Sequence, residues 1–303
     1  MGVERSELNL RDRTYGYADR FDEKYDPVRS IRRGKFKYIR SYQPFNPDLA
    51  YNQYRYRQLL YQEWKRKFEA GQLDPAQAQF FEPRSPEALY DLDSDPHELN
   101  NLATDQTHRS TLLTLRNELT TWIKSMPDLS FYPESELIKS AWRNPTAFGQ
   151  SHKHEIGELI DIADLSLIPF AEAAPALKRA LASENPWKRY WALVACSCLA
   201  TESAEWIPAI AEMATNDSEN LVRMRAAEYL GISGKGDPVP FLTTILGKSA
   251  SDAEALLILN SMTALHDGPH SYRFPQAGAA LTRHSGQLIS DRLNYLSTRK
   301  PAP

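Results

Sequence analysis

Apolar positions recur in two different rhythms along this chain, and the change of rhythm divides it. Between residues 1 and 50 the pattern alternates. DPVRSIRR and KFKYIRSY flank Gly34, with Phe36 and Tyr38 on one side of the second segment and Ile39 on the other. Alternation on both sides of a basic, glycine-containing turn predicts a β-hairpin. From Asn52 to Leu73 the rhythm lengthens: Tyr56, Leu60, Trp64 and Phe68 form a helical stripe that Gly71 stops. A short helix follows Asp74 and Pro75, an N-cap with proline at the first helical position. In EALYDLDSDPHELNNLA, residues 87–103, Ala88, Tyr90 and Leu92 alternate as one face of a half-buried strand. Asp95, Pro96 and Glu98 then stand where an N-cap, a first-turn proline and a capping-box partner open a helix. Leu112, Leu115, Leu119, Trp122 and Met126 predict a long helix over 107–126, ended by Pro127. Residues 1–126 therefore read as an antiparallel sheet with helices on one face.

After Trp142 the composition shifts. Asn144–Pro145 through His154 reads as a polar connector, and from Ala173 the chain is alanine- and leucine-rich and self-similar. Helix openings at Pro175, Pro208 and Pro240 lie 33 and 32 residues apart, the spacing of a helix–turn–helix array. Val222, Arg223, Ala226, Ala227 and Leu230 make the second copy resemble HEAT-like repeats, whereas the tetratricopeptide Trp-Leu-Gly-Tyr arrangement is missing. The third copy departs by placing Glu254 where the others carry Arg189 and Arg223. The predicted organisation is a sheet unit at 1–143, a linker at 144–172, HEAT-like repeats at 173–270, and a last helix near 285–296 within 271–303. The fold class is α+β, a small antiparallel sheet with helices followed by an all-α solenoid.

Composition excludes more than it assigns. A net charge of −3 over 303 residues gives no bulk attraction to nucleic acid or an anionic membrane. No apolar run approaches transmembrane length, and MGVERSELNLRDR lacks the apolar core of a signal peptide, so location is left open. The two cysteines, Cys196 and Cys198, sit at a spacing poor for a disulfide and without a zinc partner set, so they read as small core residues.

Several separated segments resemble one family in the right order. RDRTYGYADRFDEKYDPVRSIRRGKFKYIRSYQP, the LYDL strand with its DPHELNNLA, and SFYPESEL, together spanning roughly residues 11–135, resemble the end of the sulfatase family of the alkaline phosphatase superfamily. The likeness is to the bacterial branch similar to heparan N-sulfatase. The resemblance implies hydrolysis of sulfate esters or sulfamates by a formylglycine, made within Cys/Ser-x-Pro-x-Arg, with a calcium held by Asp and Asn. Those elements belong to the amino-terminal portion of the family fold. Here Cys198 is followed by Leu199 and Ala200, and no Pro-x-Arg follows either cysteine or a suitable serine. The expected role is the non-catalytic C-terminal part of such a hydrolase, partnered by a missing catalytic domain. The alternative is a stand-alone HEAT-repeat scaffold binding a protein or a sulfated glycan.

Arg11, Asp12 and Arg13 are the candidates for a substrate rim, because guanidinium forks suit sulfate, and the alternative, which weighs more, is a structural salt-bridge network at the sheet's edge. Asp22 and Glu23 read as solvated loop carboxylates. Arg29, Arg32, Arg33, Lys35, Lys37 and Arg40 form a cationic run able to face a sulfated polysaccharide, or simply to keep an edge hairpin soluble. His152 and His154 lack further metal ligands nearby, and Trp187, Tyr190 and Trp191 stand at core spacing.

Overall fold

The structure is a computed structural model that describes residues 12–21, 24–200, 202–281 and 284–297. Four antiparallel strands, β1 (Arg13–Phe21), β2 (Lys24–Arg33), β3 (Phe36–Ser41) and β4 (Glu87–Asp91), lie in the order of the sequence. The β2–β3 turn forms where the alternation predicts it, with Gly34 in the left-handed region at φ 58°. Between β3 and β4 stand α1 (Gln53–Tyr56), α2 (Leu59–Glu69) and α3 (Pro75–Ala78). The stripe read as one helix over 52–73 is thus two, and Leu60 points to solvent. Asp74 caps α3 through a complete capping box with Gln77.

Register decides which face of the sheet is core. Tyr15, Ile31, Tyr38 and Leu89 pair across the strands and share one face. Helix α4 (Arg109–Ser125) lays Leu112, Leu115, Leu119 and Ile123 against that face, and Trp122 stacks on Tyr15 at 4.2 Å. In β4 the alternation has the predicted period but the opposite phase. Leu89, fully buried, faces the core, and Ala88 and Tyr90 face away. Glu87 fixes that phase, because its carboxylate lies under α4, taking Arg116 Nε at 2.9 Å and the Tyr38 hydroxyl at 3.0 Å.

The helix predicted at Asp95 does not form. Glu98 adopts φ 56°, which ends any helical turn, and the segment loops back along β4. There the Asn101 side chain accepts from Leu89 N at 3.0 Å and donates to Glu87 O at 3.2 Å, and Leu102 N donates to Leu89 O at 2.8 Å. This loop satisfies the outer edge of β4.

Residues 144–172, expected as a connector, are helical: α5 (Pro145–Ser151) and α6 (Lys153–Asp164). Ile156, Leu159, Ile160 and Ala163 form an apolar stripe that the polar residues around it hide in the sequence, and α6 packs against α4. Three helix pairs follow: α7 (Phe170–Leu181) with α8 (Pro186–Cys198), α9 (Ile207–Asn216) with α10 (Asn220–Ser233), and α11 (Val239–Gly247) with α12 (Asp252–Asp267). The inner helices α8, α10 and α12 are buried nearly all round. Arg189 clamps Asp217 of the next repeat through two bonds of 2.7 Å. Short α13 (Ala277–Ala280) and α14 (Gln287–Ser297) complete the described chain. No helix among the described residues is long and apolar enough to cross a membrane.

Sheet and array are joined through buried polar contacts. Arg40, on β3, donates to Asp164 at 2.9 Å, Ser166 Oγ at 2.8 Å and Ala163 O at 3.0 Å. Trp191 Nε1 donates to Phe131 O at 2.8 Å, and its ring stands edge-on to Tyr42. Trp187, Tyr190 and Trp191 are core residues.

Candidate functional site

The sheet face opposite α4 forms the floor of a cleft of about 810 Å³. Small and branched side chains make this floor: Ala18 of β1, Val28 of β2, Ile39 and Ser41 of β3, and Ala88 of β4, with Tyr90 beside them. Each lies one position out of phase with the core face, so strand alternation alone places them here. The opposing wall is aromatic. Tyr61 and Trp64 come from α2 and Phe80 from the turn after α3; Trp64 meets Phe80 at 5.3 Å and Phe81 at 5.6 Å. His97, Glu98 and Leu99 supply one rim, where Glu98 holds Lys37 at 2.7 Å.

The charged groups of the cleft are largely spent on one another. Arg84 places Nη2 2.7 Å from both oxygens of Asp26, Nη1 3.1 Å from Asp48, and Nε 3.0 Å from Asn46 O. Burial alone would lower the Arg84 pKa, but Asp26 and Asp48 raise it overall. Lys24, 3.0 Å from Asp26, goes the other way, because burial outweighs its partner. The cleft thus combines an apolar floor, a ring-lined wall and an internally paired charge knot.

Of the predicted rim residues, Asp12 and Arg13 do not line this cleft. Arg11 lies outside the described residues, as do Asp22 and Glu23. Asp12 sits by the hairpin turn, 3.6 Å from Arg32, and Arg13 lies 3.4 Å from Glu118 on the α4 side. Both pairs are at the hairpin end of the sheet, in the salt-bridge arrangement weighed as their alternative.

The cationic run is not an open ridge. Arg29 is buried against Asp128 (2.8 Å) and Asp19 (2.6 Å), and Arg40 against Asp164. Arg32 pairs with Asp12, Arg33 with Glu118 at 2.5 Å, Lys35 with Asp91 at 2.6 Å, and Lys37 with Glu98. All six cations have a carboxylate partner, most of them distant in sequence, and the field they present to a polyanion is correspondingly weak.

The described residues do not fit the calcium and formylglycine of the sulfatase expectation. Among the described residues no group of three His, Cys, Asp or Glu side chains could hold a metal ion. Cys196 is buried, and burial pushes both cysteine thiols up to about 12, which suits structural thiols and not reactive ones. His152 Nδ1 bonds Phe148 O at 2.8 Å, while His154 is exposed beside Glu158.

The aromatic wall is what reasoning from the sequence overlooked as a site. Its signal was present, since Trp64 and Phe80 were visible, but the face they meet is set by the phase of β4.

Two parts of the chain have known counterparts. Residues 173–259 match the HEAT repeats family, so the helix pairs α7 to α12 are a HEAT-type array preceded by a small antiparallel sheet unit. A stretch of 135 residues is 40% identical to an "Ulvan-active sulfatase" of Formosa agariphila, which is 44% of this chain and 23% of that relative. The matched stretch therefore spans less than a quarter of the relative's length.

Proposed function

We propose that this chain is the non-catalytic C-terminal part of a sulfatase-like hydrolase of sulfuric esters or sulfamates. It completes the fold and contributes to the substrate rim, in the branch resembling heparan N-sulfatase. The observation that carries the reading is the 40% identity to a sulfatase over 135 residues that make up only 23% of that relative. The cleft on the sheet face opposite α4 supports it: an apolar floor and aromatic wall are what a domain built to meet a larger neighbour presents. The calcium and the formylglycine then belong to that neighbour.

The test is a chimera in which the matching segment of the Formosa sulfatase is replaced by that of this chain. A folded chimera that turns over an aryl sulfate, beside an isolated chain that does not, is the expected result. Calcium-dependent hydrolysis by the isolated chain would overturn it.

The alternative, a stand-alone scaffold for a protein or sulfated glycan, draws on the HEAT array alone. Its glycan form loses the hairpin as a docking ridge, since the cations there are paired. A monomer that binds no hydrophobic dye would favour the scaffold.

A further inference from the structure

At the seam between sheet and array lies a cavity of about 30 Å³, walled by β2, the segment after β3, and helices α10, α12 and α14. Three cations line it, Lys24, Arg225 and Arg292, with one carboxylate, Glu228. Arg225 is buried and mostly committed. Its Nη1 goes to Glu228, and its Nη2 to Gln43 Oε1 at 3.0 Å and the Tyr190 hydroxyl at 2.6 Å. Its Nε meets no acceptor among the described residues.

Gln43, only 1% exposed, is in the same position. Its Oε1 accepts from both Arg225 and Asn46 (3.2 Å), so turning the amide round would set donor against donor. Nε2 is therefore held as a donor, and it too meets no acceptor among the described residues. Unmet buried donors are rare and costly, and two of them stand here on opposite sides of one seam. The one carboxylate is already taken, with Ser261 donating to its second oxygen at 2.7 Å.

We propose that this cavity is a binding site for a single halide-sized inorganic anion, held by Gln43 and Arg225 and joining the sheet unit to the array. The volume suits one such ion, being a few times the roughly 10–15 Å³ that one water needs on this measure. A water molecule is the rival occupant. It would accept from the two donors and turn its hydrogens to the lone pairs that remain on Glu228, whereas an anion accepts only, and the bromide measurement separates the two. Lys24 contributes field rather than a free contact, since Asp26 and Pro47 O already hold it.

The experiment uses the full chain. Its melting temperature is measured in sodium chloride and in sodium gluconate at matched ionic strength, and crystals soaked in bromide are measured at the bromine edge. The expected results are a melting point about 2–4 °C higher in halide, an anomalous peak between Gln43 and Arg225, and loss of the halide effect in Gln43→Leu. Equal melting points with a non-anomalous water at the site would overturn the proposal, as would bromide found only on the outer surface, an adventitious ion only. Should Gln43→Leu fail to fold, the bromide peak in the unaltered chain decides alone.

Discussion

Asp95 accepts two backbone N–H groups, from Leu99 at 3.1 Å and Asn100 at 2.8 Å, and so organises the loop that seals the edge of β4. Those amides, Asn100 first, hold its carboxyl below the ordinary carboxylate range. A depressed folded-state pKa contributes stability that is present above the unfolded value and disappears as pH falls through the folded one. Asp95→Ala should therefore melt below the unaltered chain at pH 7. The two melting curves should converge as the pH is lowered through and beneath the unfolded value of 3.8. A gap that persists unchanged down to pH 2 would show that the charge of Asp95 contributes nothing.

At the scale of elements, β3 is tied to α6 by a single buried guanidinium. Arg40 satisfies Asp164, Ser166 and Ala163 at once, and removing it leaves a carboxylate with little access to water. Arg40→Met should lower unfolding free energy by about 3–5 kcal/mol, and adding Asp164→Leu should recover much of that loss. Denaturant titration of the two variants reads both effects, and a single-variant loss below about 1 kcal/mol would rule out a structural role for the pair. Elements of this kind mark what was legible in the sequence. Periods were legible: the hairpin about Gly34, the capping of α3, the stripe of α4 and the repeat spacing follow from local pattern, although Pro175, read as a helix opening like Pro208 and Pro240, lies inside α7. Phase was not, because Leu89 and Tyr90 are equally good strand residues and only Glu87 reaching Arg116 selects between them. Long-range pairing was not legible either. Arg29 and Arg40 look like surface cations until Asp128 and Asp164, about a hundred or more positions later, arrive beside them. The cleft is hidden for the same reason, since it exists only where α2 faces a floor that the phase of β4 completes.

For the molecule as a whole, the last described helix returns to the first part of the chain. Tyr295 of α14 stacks on Tyr51 with ring centroids 3.5 Å apart, donates to Asp267 at 2.6 Å and receives Lys65 of α2 at 2.6 Å. Helix α2 buries none of its residues fully, so this clasp is a main restraint on the aromatic wall of the cleft. Tyr295→Ala should raise amide exchange across 59–69 by roughly tenfold while leaving the β2–β3 hairpin protected. Unchanged exchange in α2 would show that the wall stands without the array. Tyr51 and Tyr295 lie 244 positions apart. At ribosomal speeds of roughly 5–20 residues per second, about 12–50 s pass between the making of one ring and the other. Through that interval the nascent chain carries Trp64 on α2, and Phe80 after α3, without the fastening that Tyr295 supplies. Until α14 is translated and docked, that fastening is missing from the wall of the cleft.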